Sequence, residues 1–295
     1  MISFTSDTNK QQDFWNVVWQ QDVRVIVMLT AENEGGQVKA HNYWENRHYG
    51  PLNLNFLSEH RASLEPSKIH RHRDRPVTNR RRSTNPPTGR QPTMNEVESP
   101  VSEEAYVIVR RFTLSHDAEP FVPIREITQL QYSTWPDFGA PAHPAHLLCL
   151  VEQCDAVVRL SNGGSPSTPA PAITRPILVH CSAGCGRTGT FCTVDSVIDM
   201  MKRQRIEFTR KNRHVSPMDI EGDKQMQHHQ CVDCMEPVHE SGNLEWLCCD
   251  NIDLIEKTVE DFRLQRLSMV QSLKQFVLCY ESVLEWLAEQ TPKSA

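Results

Sequence analysis

Apolar residues along the chain follow two rhythms, one of three to four residues and one of short continuous runs, separated by polar gaps. In residues 13–21, Phe14, Trp15, Val18 and Trp19 fall on one face of a 3.6-residue repeat and predict a helix. Residues 23–29 (VRVIVML) are apolar on both faces and predict a central strand. The stretch EGGQVK at 34–39 predicts a hairpin. AYVIVRRFTL and IREITQLQYSTW then predict two strands of an antiparallel pair. Residues 144–160 return to helical spacing through Leu147, Leu148, Val151, Cys154 and Val158. Ile177, Leu178 and Val179 make a run too short for a helix and suited to a buried strand, and a helix opens at Arg187-Thr188 with Phe191, Val194, Asp195 and Ile198 at its spacing. Residues 251–290 predict two amphipathic helices carrying Val259, Phe262, Leu264, Phe276, Val277, Tyr280, Leu284, Trp286 and Leu287.

Three stretches break these rhythms. Residues 58–101 are basic, rich in Pro, Ser, Thr and Asn and nearly free of aromatics, so burial cannot offset their ordering entropy, and they predict a disordered insertion. Residues 161–173 (largely SNGGSPSTPAPA) predict a flexible loop. Residues 211–245 predict a polar insertion, in which His228, His229, Cys231, Cys234 and His239 are ligand types that zinc accepts at a spacing that matches no common finger.

Length and charge narrow the classes. The 295 residues, 38% hydrophobic, suffice for one large domain with a sizeable core. A net charge of −6 argues against a general nucleic-acid binder. No run of eighteen apolar residues predicts a membrane span, and the polar start MISFTSDTNK lacks the core of a signal peptide. Ten cysteines without a tight framework fit a reducing compartment, so the expected location is cytoplasmic, with nuclear import through the basic insertion as the alternative.

The chemistry concentrates between strand and helix at residues 176–200. Five small residues, Ser182, Ala183, Gly184, Cys185 and Gly186, let the backbone curl and turn its N–H groups inward, and the helix that follows adds the positive end of its dipole. That is an anion site suited to phosphate. Cysteines at helix N-termini have pKa values lowered to about 3.5–7.5, which makes Cys181 a candidate nucleophile. Arg187 offers a planar fork for two phosphate oxygens, and Thr188 a hydrogen bond to the sulfur.

The string His180-Cys181-x5-Arg187-Thr188-Gly189 resembles the signature of the protein tyrosine phosphatases, in the tyrosine-specific branch that includes receptor, non-receptor and fungal-like members. Thr134-Trp135-Pro136-Asp137-Phe138-Gly139-Ala140-Pro141 is similar to the family's acid-bearing lid, and the stretch from Ser268 to Phe276 to its glutamine loop. The resemblance implies an α/β (α+β) fold, a central twisted mixed β-sheet flanked by helices, with residues 1–295 forming one catalytic domain that lacks the family's opening helices and substrate-loop region at its N-terminus. It implies phosphotyrosine-containing protein substrates and hydrolysis through a cysteinyl phosphate, with no cofactor and no metal. The implied catalytic set is Cys181, Asp137, Arg187, Gln271, Thr188 and His180. The implied substrate contacts are Ser182, Ala183, Gly184, Cys185, Gly186, Arg187, Asp137, Gln271, Gln275 and Lys39, with Glu34 pairing Arg187. A phosphate-binding module or scaffold without turnover is the alternative, because the substrate loop is missing from the pattern.

Overall fold

The computed structural model describes residues 8–65, 105–162, 175–213 and 252–290. Helix α1 (Thr8–Gln20) precedes strand β1 (Val25–Met28), the hairpin β2 (Asn33–Glu34) and β3 (Gln37–Val38), and then β4 (His48–Tyr49) and β5 (Leu52–Ser63). Strands β6 (Tyr106–His116) and β7 (Arg125–Gln131) lead to α2 (Pro144–Ser161), β8 (Ile177–His180) and α3 (Gly186–Arg213), and α4 (Leu254–Gln265) and α5 (Leu273–Gln290) follow.

Six strands form one sheet in the order β4-β5-β6-β7-β1-β8. From β4 to β7 the pairs are antiparallel, whereas β1 pairs in parallel with β7 and with β8, so the sheet is mixed. All four residues of β1 are buried, as its two-faced apolar sequence requires. Val25 and Val27 pack into the core shared with α2 to α5, through Leu150, Phe191, Val194 and Leu278. Ile26 and Met28 face the other way, onto Phe14, Trp15 and Val18 of α1. The expected α/β (α+β) architecture of helices on a mixed sheet is what the chain adopts.

Local chemistry sets several boundaries. The β2–β3 turn places Gly35 at φ 57° and Gly36 at φ 77°, the left-handed pair that a two-residue hairpin demands. Pro144 starts α2, where its missing N–H costs nothing. Asp253 caps α4 by accepting from the Ile255 and Glu256 amides.

One expectation needs correction. The basic insertion was expected from residue 58, yet β5 continues through Ser63, where Ser58 to Ser63 pair with Arg111 to Tyr106 beyond a bulge at 56–58. The alternation Leu52-Asn53-Leu54-Asn55-Phe56 is the strand signal, and the ladder with β6 carries it into polar sequence. The rest of that insertion, residues 66–101, lies outside the described residues, as do residues 163–173 and the His228–His239 cluster. Helix α2 runs to Ser161 and α3 to Arg213, so the first residue of the expected loop and residues 211–213 of the expected polar insertion are helical.

Candidate active site

Strand β8 ends at His180, and its parallel pairing with β1 sets Cys181 at the carboxyl edge of the sheet. Cys181 is 4% exposed. Gly184 turns the loop at φ 67°, a conformation that side chains disfavour. Helix α3 then begins at Gly186. The loop is held from outside by Arg266, whose Nη2 donates to the Ala183 carbonyl at 2.8 Å and whose Nε donates to Cys185 Sγ at 3.3 Å. The Cys185 thiol is therefore taken up by a guanidinium and the Ala183 carbonyl.

Arg187 is 1% exposed. Its Nη1 donates to Glu34 Oε1 at 2.5 Å and to the Trp135 carbonyl at 2.9 Å. Its Nη2 lies 3.4 Å from Asp137 Oδ1. Among the described residues Nε and Nη2 make no hydrogen bond, and neither does the Thr188 hydroxyl. Buried guanidinium donors without acceptors are costly, and the fork keeps donor capacity that its partners among the described residues leave unused.

Asp137 Oδ2 accepts from Lys39 Nζ at 3.0 Å, which brings the β2–β3 hairpin to the lid segment. Trp135 is fully buried and its Nε1 donates to the Gly139 carbonyl at 2.9 Å, closing the segment into a rigid turn. Ser272 Oγ donates to the Phe138 carbonyl at 2.9 Å, so the lid also touches the segment that carries Gln271. That segment packs on α3, where the Val270 amide donates to the Cys185 carbonyl at 3.3 Å. A Cβ on Gly186 would come 2.8 Å from Gln271 Oε1.

His180 is buried, and burial lowers its pKa to about 4, so the ring is neutral at physiological pH. Its Nε2 lies 2.9 Å from Tyr43 Oη. The remaining described thiols are different in kind. Burial pushes Cys149, Cys192 and Cys279 up to about 12, and Cys154 well above the usual range, which leaves them protonated and unreactive.

The structure thus gathers Cys181, Arg187, Thr188, Asp137, Gln271, Lys39, Glu34 and His180 around one loop. Gln275 lies against the same loop, its Oε1 2.9 Å from where a Cβ on Gly186 would stand; it is 1% exposed, and that oxygen accepts from the Gln271 and Ser272 amides at 3.0 and 3.3 Å. It shapes the Gln271 turn. Arg266 was not anticipated, and no local motif distinguishes it from any other arginine late in a helix.

The sequence model of the Protein-tyrosine phosphatase family matches residues 5–85 and 90–236. The chain belongs to the protein-tyrosine phosphatase family. It is 33% identical to the Caenorhabditis elegans tyrosine-protein phosphatase non-receptor type ptp-2, over 70% of this chain and 28% of that protein. To the mouse tyrosine-protein phosphatase non-receptor type 9 it is 26% identical, over 94% of this chain and 33% of that protein. The chain therefore spans about a third of the length of these relatives. The crystal structure of the catalytic domain of human protein tyrosine phosphatase non-receptor type 18 shares its fold, with a TM-score of 0.53 at 23% identity, covering 94% of this chain and 64% of that one. A further structure of the type 18 phosphatase, concerned with its fingerprint on distinct HER2 tyrosine phosphorylation sites, matches with a TM-score of 0.55 at 23% identity.

Proposed function

We propose that this chain hydrolyses phosphotyrosine in proteins through a phosphorylated Cys181. The observation that carries the reading is Arg187, buried, tied at Nη1 to Glu34, with Nε and Nη2 unclaimed by hydrogen bonds beside an acid 3.4 Å away. The two unclaimed donors suit two phosphate oxygens, and the amides of residues 182–187 suit the others.

In the first step the Cys181 thiolate attacks phosphorus while the bond from phosphorus to the tyrosyl oxygen breaks. The electron pair leaves on that oxygen, which takes a proton from the Asp137 carboxyl. Charge on the transferring group is met by Arg187 and the loop amides in a setting that excludes water. In the second step Gln271 positions a water, Asp137 accepts its proton, and the oxygen attacks phosphorus. The sulfur–phosphorus bond breaks and the thiolate returns. A hydrogen bond from Thr188 to the departing sulfur stabilises it. Lys39 steers the Asp137 carboxyl.

Protein substrates are favoured over small phosphates by the rim. Phe138, Val38, Leu267 and Leu273 are all more than half exposed, and each adjoins in sequence a residue that touches the loop or its lid. A peptide flanking the phosphotyrosine would cover them. A location inside the cell is supported by six free cysteines among the described residues, and no described helix is long and apolar enough to cross a membrane.

Turnover of p-nitrophenyl phosphate and of tyrosine-phosphorylated peptides, abolished by Cys181→Ser, tests the reading. Well-folded protein that binds phosphate without turnover would replace it with a phosphate-binding module.

A further inference from the structure

We infer that Arg110, on β6, is a positioning residue that fixes the nucleophile loop and the phosphate-binding guanidinium together, through two hydrogen-bonded branches that begin at its Nη1. The inference rests on the reading of the site as a phosphatase centre.

The strand register creates the arrangement. Arg110 pairs with Gln129 across the β6–β7 ladder, and Gln131 lies two positions along the same face of β7. Arg110 is 6% exposed, and both glutamines are fully buried. Its Nε donates to Glu59 Oε2 at 2.6 Å, its Nη2 lies 3.9 Å from Glu32 Oε1, and the guanidinium sits 4.5 Å from the centroid of the Trp44 ring. Three sides are thereby fixed, and Nη1 is aimed at the two amides. It donates to Gln129 Oε1 at 3.1 Å and to Gln131 Oε1 at 2.5 Å.

A guanidinium only donates, so each amide must turn its oxygen toward Arg110 and its NH2 away. In the first branch, Gln129 Nε2 donates to Tyr43 Oη at 2.6 Å. The direction of the next link is set from its far end, where His180 Nδ1 faces a carbonyl that can only accept, so Nε2 takes the phenol proton at 2.9 Å. The neutral ring then carries its own proton on Nδ1, which faces the Cys181 carbonyl at 3.4 Å. In the second branch, Gln131 Nε2 donates to the Thr30 carbonyl at 3.2 Å. The Thr30 hydroxyl has two acceptors in reach, Glu34 Oε1 at 2.8 Å, the same oxygen that accepts from Arg187 Nη1, and the Ala31 carbonyl at 3.0 Å. One cation thus fixes which way both glutamine amides face, one toward Tyr43 and His180 next to the Cys181 peptide and the other toward the Thr30 backbone beside the Glu34 carboxylate. Remove it and both glutamines can reverse, which turns an oxygen toward Tyr43 and toward the Thr30 carbonyl.

The test uses the full chain, with Arg110→Met, Gln129→Leu and Gln131→Leu compared at a temperature where circular dichroism shows all of them folded. Gln131→Leu is expected to raise the KM for p-nitrophenyl phosphate and the inhibition constant of inorganic phosphate by about tenfold or more, with little change in the rate of Cys181 alkylation by iodoacetate. Gln129→Leu is expected to do the reverse, lowering kcat and the alkylation rate while phosphate inhibition stays within about twofold of wild type. Arg110→Met is expected to show both changes, and adding either glutamine substitution to it to change little more. The inference is overturned if the folded variants keep wild-type phosphate inhibition and alkylation and lose only thermal stability, or if the two glutamine variants are indistinguishable. A wild-type chain that turns nothing over would sink the hydrolytic reading instead, and phosphate affinity and alkylation, which need no turnover, would still decide the wiring.

Discussion

Glu34 Oε1 and Arg187 Nη1 meet at 2.5 Å across 153 residues of sequence, joining the β2–β3 hairpin to the first turn of α3. Arg187 is almost wholly enclosed, so its charge has little water to fall back on. Breaking a buried pair from one side leaves an uncompensated charge and costs about 3–5 kcal/mol. Glu34→Ala is expected to lower stability by an amount near the lower end of that range and to weaken phosphate binding. Glu34→Gln, which keeps an acceptor, is expected to cost less. Urea denaturation with phosphate titration of both variants checks this, and equal behaviour of the two would mean that charge is not what Arg187 needs.

Asp137 lies beside Arg187 and Lys39, and the proposed reaction has it pass a proton to the leaving oxygen. Asp137→Asn is expected to lower kcat by about 10²–10⁴ while KM changes little. The loss is expected to be greater for phenyl phosphate than for p-nitrophenyl phosphate, whose oxygen departs more readily without a proton. A uniform loss across leaving groups would remove Asp137 from the acid's role.

Gly189 shows how closely the glutamine segment packs on the nucleophile helix. A Cβ there would stand 2.5 Å from the Val270 amide nitrogen and 3.1 Å from Met269 backbone atoms. Backbone cannot swing aside as a side chain can, so Gly189→Ala is expected to push residues 269–271 away from α3. Release of phosphate from the cysteinyl intermediate should slow more than its formation, seen as a larger burst in rapid-quench kinetics. An unchanged ratio of burst to steady state would contradict the placement.

Burial holds His180 neutral, with its pKa lowered from 6.5 to about 4. The native state therefore binds fewer protons than the unfolded chain between those values. The stabilisation is complete above pH 6.5 and declines as pH falls toward 4, by roughly 3 kcal/mol in all. Chemical denaturation across pH 4–7 of wild type and of His180→Asn measures it, and parallel curves would refute it.

Asp195 on α3 moves the other way. Burial, with the nearby charges of Asp155 and Asp199, raises its pKa to about 7. The unfolded carboxyl ionises near pH 3.8 and the native one near 7, so this group's contribution to stability is greatest below pH 3.8, falls as pH rises between those values and is fully lost above 7. Asp195→Asn is expected to raise the melting temperature by roughly a few degrees at pH 8, by less at pH 5 and not at all below pH 3.8. A gain independent of pH would assign the effect to packing.

Much of the candidate site was legible because its parts are contiguous strings. Cys181 to Arg187 form one loop, and Trp135, Pro136 and Asp137 one turn; their chemistry is written within a few residues. The strand β1 was equally plain, since a strand buried on both faces must be apolar throughout. By contrast, the first residues of the expected basic insertion are polar in sequence and become strand only because β6 pairs with them.

The sequence by itself marked the candidate nucleophile and anion loop, which depend on neighbours within a turn, and by family resemblance the candidate acid and the mixed architecture. Tertiary structure alone decided that Arg266 clasps the loop and that Arg110 reaches toward both Cys181 and Arg187 through two glutamines. Those relations are side-chain hydrogen bonds to groups on other elements, brought within reach by strand register and helix packing. No residue type announces its partner when the partner lies on another element, so their meaning appears only when the chain has folded.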